Sequence, residues 1–181
     1  MKSITKFFFV FLLVILCIPI KSYGLIEVDI TRGNLNPLPV AVSPLSIDEK
    51  SKKSFDVLLK KKNIGDEISS IVENNLRTSG LFNPLSKDAF LQAPDIANLK
   101  PRFEDWNLIK AQALITGKVT NIDNKLRVEF RLWDVLAGKE MMALAFTTVP
   151  TNWRRVGHII SDKVYERLTG EKGYFDTRII Y

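Results

Sequence analysis

The stretch "ALITGKVTNIDNKLRVEFRLWDVLAGKEMMALAFTTV", residues 113–149, decides the fold. Its apolar residues recur with a period of two, most clearly at residues 126–132, where leucine, valine and phenylalanine alternate with arginine and glutamate. A period of two is typical of strands that have one face on a core and one face in water. The stretch therefore predicts a sheet that is buried on one side.

Turn signals divide this stretch into three strands. Asp123-Asn124 and Ala137-Gly138 are residue pairs that favour tight turns between strands. The predicted strands cover residues 114–122, 126–135 and 140–149. Such short connections predict an antiparallel meander.

The residues on either side of the meander have a helical period instead. Gly80 and Gly170 stand where each helix would end, and Asp66 and Glu67 suit a first helical turn. Thr151 or Asn152 suits the cap of the second helix. The apolar positions repeat at helical spacing within residues 63–80 (Ile64, Ile68, Ile71, Val72 and Leu76) and within residues 151–170 (Val156, Ile159, Ile160, Val164 and Leu168).

The remaining segments give weaker signals. Residues 104–111 favour a shorter helix, and residues 39–43 favour a strand of the same sheet. The lysine- and serine-rich residues 44–62 are interpreted as a solvated loop or a short helix face. Together these elements predict a two-layer α+β domain, with two main helices on one face of a mixed sheet.

The N-terminus has the features of a secretory signal peptide over residues 1–24. Lys2 and Lys6 precede an uncharged run, residues 7–20, that is too short to span a bilayer comfortably. Small residues before Leu25 predict cleavage after Gly24 and export to the periplasm; an uncleaved anchor is the alternative. Cleavage would remove the only cysteine and lower the net charge from +6 to +3. A charge of +3 is a weak argument for binding to nucleic acid or membranes, so we expect no nucleic-acid partner and no membrane insertion after cleavage.

No pattern of residues in the sequence points to a catalytic or metal site. His158 is the only histidine and is interpreted as a half-exposed helix residue, and no cysteine remains to join it in a zinc site. The acidic pairs at residues 66–67 and 104–105 are explained by helix starts. "TGEKG", residues 169–173, lacks the spacing of a phosphate-binding loop. We therefore expect a binding module and no enzyme, with no catalytic residue, metal or cofactor.

A short alternating segment follows the predicted cleavage site. Ile26, Val28 and Ile30 alternate with polar residues, and turn residues separate the segment from the strand at 39–43. A terminal strand of this kind can pair with its own sheet. It can also be donated to the sheet edge of a partner, where main-chain hydrogen bonds give affinity.

Four motifs resemble a known family. "IEVDITRGNLNPLPVAV", "SGLFNPL", "VEFRLWDV" and "NWRRVGHIISDKVYERLTGEKGYFDTRIIY" are similar, in order and spacing, to the N-terminal part of TolB proteins of the Tol-Pal envelope system. The likeness runs from Ile26 to Tyr181. It implies two helices on a mixed, largely antiparallel five-stranded sheet over residues 37–170.

The resemblance also implies a function. TolB-like proteins are periplasmic adaptors that support outer-membrane integrity and cell division. Their N-terminal strand binds the periplasmic domain of TolA, and a C-terminal β-propeller binds Pal. Carried over, the partner-binding strand lies within residues 25–36 and consists of Ile26, Glu27, Val28, Asp29, Ile30, Thr31, Arg32, Gly33 and Asn34.

The β-propeller of the family is not part of this sequence. Residues 171–181 are therefore interpreted as a connector toward it, and Pal binding would require a propeller supplied separately. The alternative is a truncated or split TolB fragment that acts only structurally, by docking to a separate propeller chain.

Overall fold

A computed structural model describes residues 36–60 and 63–177 of the chain. The strands are β1 (Leu38–Val42), β2 (Ser46–Ile47), β3 (Phe82–Pro84), β4 (Ala113–Ile122), β5 (Lys125–Asp134) and β6 (Lys139–Thr148). The α-helices are α1 (Glu49–Leu59), α2 (Ile64–Thr78), α3 (Pro94–Leu99), α4 (Phe103–Leu108) and α5 (Trp153–Thr169). Short 3₁₀ turns occupy Lys87–Ala89 and Pro150–Asn152.

The strands form one mixed sheet in the order β3-β1-β4-β5-β6, with β2 beside the later part of β4. β1 pairs in parallel with both β3 and β4, whereas β4, β5 and β6 form the predicted antiparallel meander. The α+β class and the mixed sheet are confirmed. Within the described residues the sheet has six strands rather than five, because β2 and β3 are short additions beside the longer strands.

The β4–β5 connection is a two-residue hairpin turn. Asp123 and Asn124 have φ angles of 49° and 59°, so both lie in the left-handed region. Two consecutive left-handed residues are the conformation of a type I′ turn, whose twist matches that of the flanking strands. Gly138, with φ of 62°, makes the next turn. Both predicted turns are confirmed.

The main core lies between the sheet and helices α2 and α5. The alternating residues of β5, from Leu126 to Leu132, face this core and are at most 1% exposed. The two helices approach each other closely at Gly157, where a Cβ atom would stand 2.9 Å from Cγ2 of Ile71. The two predicted helices and their apolar faces are therefore confirmed.

A second, smaller core lies on the opposite face of the sheet. Trp106 of α4 is 1% exposed and packs edge-on against Phe90, with ring centroids 5.0 Å apart. Its Nε1 donates to Oε1 of Gln92, which also accepts the N–H of Arg102. The two main helices on one face agree with the prediction, and α3 and α4 are an addition that covers part of the second face.

The lysine-rich stretch at 44–62 contains the 11-residue helix α1. Asp48 caps it by accepting the N–H of Ser51 at 2.8 Å. Phe55 is 1% exposed and belongs to the main core, while Val57 on another face is 79% exposed. The short-helix interpretation was therefore the better of the two, and one aromatic side chain fixes the helix to the domain.

Candidate interaction site

The described residues do not bring together a catalytic or metal-binding set. In residues 36–60 and 63–177, no group of three or more histidine, cysteine or acidic side chains is arranged to hold a metal ion. The predicted acidic pairs lie in the first turns of α2 and α4. There they face the positive ends of the helix dipoles, as the sequence predicted.

His158 has a structural environment between the two main helices. It is half-buried, as predicted, and its Nδ1 lies 2.9 Å from Nδ2 of Asn75. The same Nδ2 donates to Oγ of Ser161 at 2.9 Å, and that hydroxyl donates to the carbonyl of Gly157. This network connects α2 to α5 and gives hydrogen-bond partners to the polar side chains of Asn75, His158 and Ser161 where the two helices meet.

Two carboxylates have clear electrostatic partners. The hydrogen bond from Arg127 holds the pKa of Glu129 below its ordinary value, with smaller contributions from Lys118 and Arg131. Hydrogen bonds from Ser51 likewise lower the pKa of Asp48. Both shifts favour the charged form, so neither group is prepared to act as a general acid.

The predicted partner-binding strand, Ile26 to Asn34, lies outside the described residues. The described chain begins at Asn36, two residues before β1. β1 lies between β3 and β4, with Leu38 opposite Phe82 and Val40 opposite Ala113. The segment therefore joins the domain at the start of an inner strand, which fixes where the segment would leave it.

Strand β6 is the long edge of the sheet. It pairs with β5 over its whole length, and the described residues place no strand on its other side. A groove of about 360 Å³ separates its second half from α5. Phe146, Val156 and Ile159 supply apolar lining, and Arg155 supplies a cation. An edge strand beside an apolar groove has the features that strand-adding partners recognise.

Residues Glu171–Thr177, here called the return segment, fold back along α5. Asp162 accepts the N–H of Phe175 at 2.7 Å and the N–H of Asp176 at 3.1 Å. Arg155 makes a bidentate ion pair with Asp176, from Nε to Oδ1 and from Nη2 to Oδ2, and Tyr165 packs edge-on against Phe175. Burial is the largest of the effects that raise the pKa of Tyr165. The return segment thus brings the chain back beside Arg155 at the β6 groove.

The described part of the chain contains no helix with the length and apolar character needed to span a membrane. Over the residues that the structure describes, the fold is an α+β domain with two main helices on one face of the sheet, a smaller core on the other, and an edge strand, β6, that has no described strand on its outer side.

Comparison with known proteins identifies this domain. The model of the family described as the TolB amino-terminal domain matches residues 26–141, so the chain belongs to that family. The Tol-Pal system protein TolB of Pelagibacter ubique (strain HTCC1062) is 81% identical over 173 residues. The match covers 96% of this chain and 39% of that relative, so the chain spans about two fifths of its length. The chain is thus a homologue of the N-terminal part of a Tol-Pal system protein.

One solved structure supports the fold. The crystal structure of TolB from Acinetobacter baumannii matches with a TM-score of 0.62 at 22% identity, over 84% of this chain and 33% of that one. The LpoB C-terminal domain from Salmonella enterica matches with a TM-score of 0.45 at 12% identity, over 71% of this chain and 88% of that one. The second likeness is too weak to define the fold.

Proposed function

We propose that this chain is a non-enzymatic, periplasmic adaptor of the Tol-Pal system that donates residues Ile26–Asn34 as a strand to the periplasmic domain of TolA. The observation that carries the proposal is the start of the family match at residue 26, which is the first residue of the alternating segment. The segment is therefore part of what the family shares. Its attachment to β1, an inner strand, gives it a fixed anchor on the domain.

Export precedes this function. The signal peptide at residues 1–24 is cleaved near Gly24, and the mature chain begins at Leu25. Mass spectrometry of the protein recovered from a periplasmic extract tests this step. The expected mass is that of a chain beginning at Leu25. Recovery of the uncleaved chain in the membrane fraction would contradict the proposed cleavage.

The binding test compares the mature chain with a version that begins at residue 35. The TolA periplasmic domain is the probe, and affinity is measured by calorimetry. We expect binding to be lost when residues 25–34 are removed. Equal affinity of the two forms would refute the proposal.

Proline substitutions test whether the segment binds as a strand. Val28→Pro or Ile30→Pro removes a main-chain donor and is expected to weaken binding. Asp29→Pro is the matched control, because successive N–H groups of a strand point to opposite edges. If binding uses one edge, prolines at the even and odd positions have unequal effects. Equal effects at all three positions would exclude strand addition.

The second candidate function is structural: the chain docks to a separate propeller chain without binding TolA on its own. The return segment favours it, because the Asp162 and Arg155 contacts direct the end of the described chain to one place on the domain. Co-purification of the chain with a separately expressed TolB propeller tests this candidate. Pal binding is expected only in that reconstituted pair, and failure to co-purify would remove the candidate.

A further inference from the structure

The edge of β6 lacks the usual protection against pairing with another strand. Edge strands in natural proteins are normally kept apart by charges, prolines or bulges. β6 carries such features only at its ends. Its first residues are Lys139 and Glu140, and the register shifts nearby, opposite Leu132 and Trp133. Pro150 stands just beyond its other end. Residues 142–148 between these ends contain neither a charge nor a proline.

The unprotected residues of β6 also remain accessible. Leu144 points to the same face as the main core but is 38% exposed. Phe146 beside it is only partly buried, and the groove next to it is open. Ala143 and Ala145 alternate with them on the opposite face and are exposed. Along this edge of the described sheet, one face of β6 is thus apolar and the other carries small residues.

We propose that β6 pairs with β6 of a second copy of this chain, antiparallel and about a twofold axis at Ala145. Ala145 is the middle residue of the unprotected stretch 142–148. In this register every residue of the stretch would therefore pair with a residue of the same stretch in the partner copy. Leu144 would lie opposite Phe146 of the second copy on the core face. Ala145 would lie opposite itself on the other face. A twofold interface of this kind closes on itself and ends at the dimer.

The charge distribution favours a second copy as the occupant. With the axis at Ala145, Lys139 and Glu140 fall beyond Val149 of the partner copy, so no like charges are opposed along the paired residues. The paired side chains on the core face are aromatic and aliphatic, a combination that stabilises cross-strand pairs.

The test is the oligomeric state of the mature chain, from Leu25 onward, measured by sedimentation velocity over a range of concentrations. A reversible dimer is expected. Ala145→Lys and Ala145→Glu each place like charges on the twofold axis and are expected to weaken dimerisation at least about tenfold. An equimolar mixture of the two variants is expected to restore the dimer, because lysine then faces glutamate. This rescue distinguishes a lost interface from a damaged fold.

Val57→Lys is the matched control, because it adds the same charge at an exposed position on α1. It is expected to leave the dimer unchanged. A chain that stays monomeric throughout the concentration range would overturn the proposal. So would a chain that dimerises only after residues 25–34 are removed, because its own N-terminal segment would then be the occupant of β6. Failure of the mixed variants to associate would equally exclude the Ala145 axis.

Discussion

Replacing Asp162 by alanine is expected to release the return segment from α5 without unfolding the domain. The carboxylate accepts two N–H groups, from Phe175 at 2.7 Å and from Asp176 at 3.1 Å. A hydrogen bond to a charged group contributes about 1.5–3 kcal/mol, and the lower end applies here because the site is only partly buried. Loss of both bonds then lowers the free energy of local opening by about 3 kcal/mol.

Amide hydrogen exchange measures this local opening directly. A change of about 3 kcal/mol corresponds to roughly a hundredfold faster exchange of the Phe175 amide in Asp162→Ala. Asp162→Asn keeps one acceptor and is expected to speed exchange by about tenfold. Amides of β5, such as that of Val128, report global stability and should exchange at the same rate in both variants. Unchanged protection of Phe175 in Asp162→Ala would refute the assigned contacts.

Three further substitutions test the core and the charges. Trp106→Ala empties the smaller core and should destabilise the chain by about 3–5 kcal/mol in urea unfolding, and a loss below about 1 kcal/mol would contradict that core. Gly157→Ala places a methyl group against Ile71 and should cost about 1–3 kcal/mol in the same assay, whereas a neutral result would mean that the two main helices can separate slightly. The lowered pKa of Glu129 means that its bond with Arg127 stabilises the folded chain above the unfolded pKa and is lost as the pH falls through the lower folded pKa. Glu129→Gln should therefore reduce the acid-induced loss of stability below about pH 4.5, as followed by circular dichroism, and an identical pH profile would contradict this reasoning.

Long periodic elements could be predicted from the sequence because each repeats its signal many times. Apolar and polar residues alternate along the whole of β5, so its buried side chains can be predicted from the sequence alone. α2 and α5 carry apolar residues along one face over four turns or more, and both end at glycines with φ near 75°. The Asp123-Asn124 pair tolerates the left-handed conformation that the hairpin requires. These features are local, and no tertiary context overrides them.

The missed elements have no period to detect. β2 and β3 contain two and three residues, which is too short for any alternation. α1 is dominated by lysine and serine, and its position depends on the burial of Phe55. The second core depends on the contacts of Trp106 with Phe90 and Gln92, which belong to a separate segment. The spacing of residues in the sequence does not predict these contacts.

The candidate site was accessible to sequence reasoning only in part. Alternation at residues 26–31 indicates a strand, but it leaves open whether the strand pairs within the chain or with a partner. The family likeness, and not the pattern, favours the partner. The place of β6 at the edge of the described sheet could not be predicted, because strand order depends on which segments pair in parallel across long sequence separations.

The strand order also determines when the domain can fold. β1 is synthesised early, yet Val42 pairs with Ile115, so the inner part of the sheet waits for residues that emerge more than seventy positions later. The β4–β5–β6 hairpins, by contrast, close through adjacent residues and can form as soon as they are complete. The inner part of the sheet therefore cannot be completed before residues 113–115 have been synthesised. For a protein proposed to be exported, that delay keeps the chain incompletely folded, and so able to be translocated, until β4 and the strands after it have been synthesised.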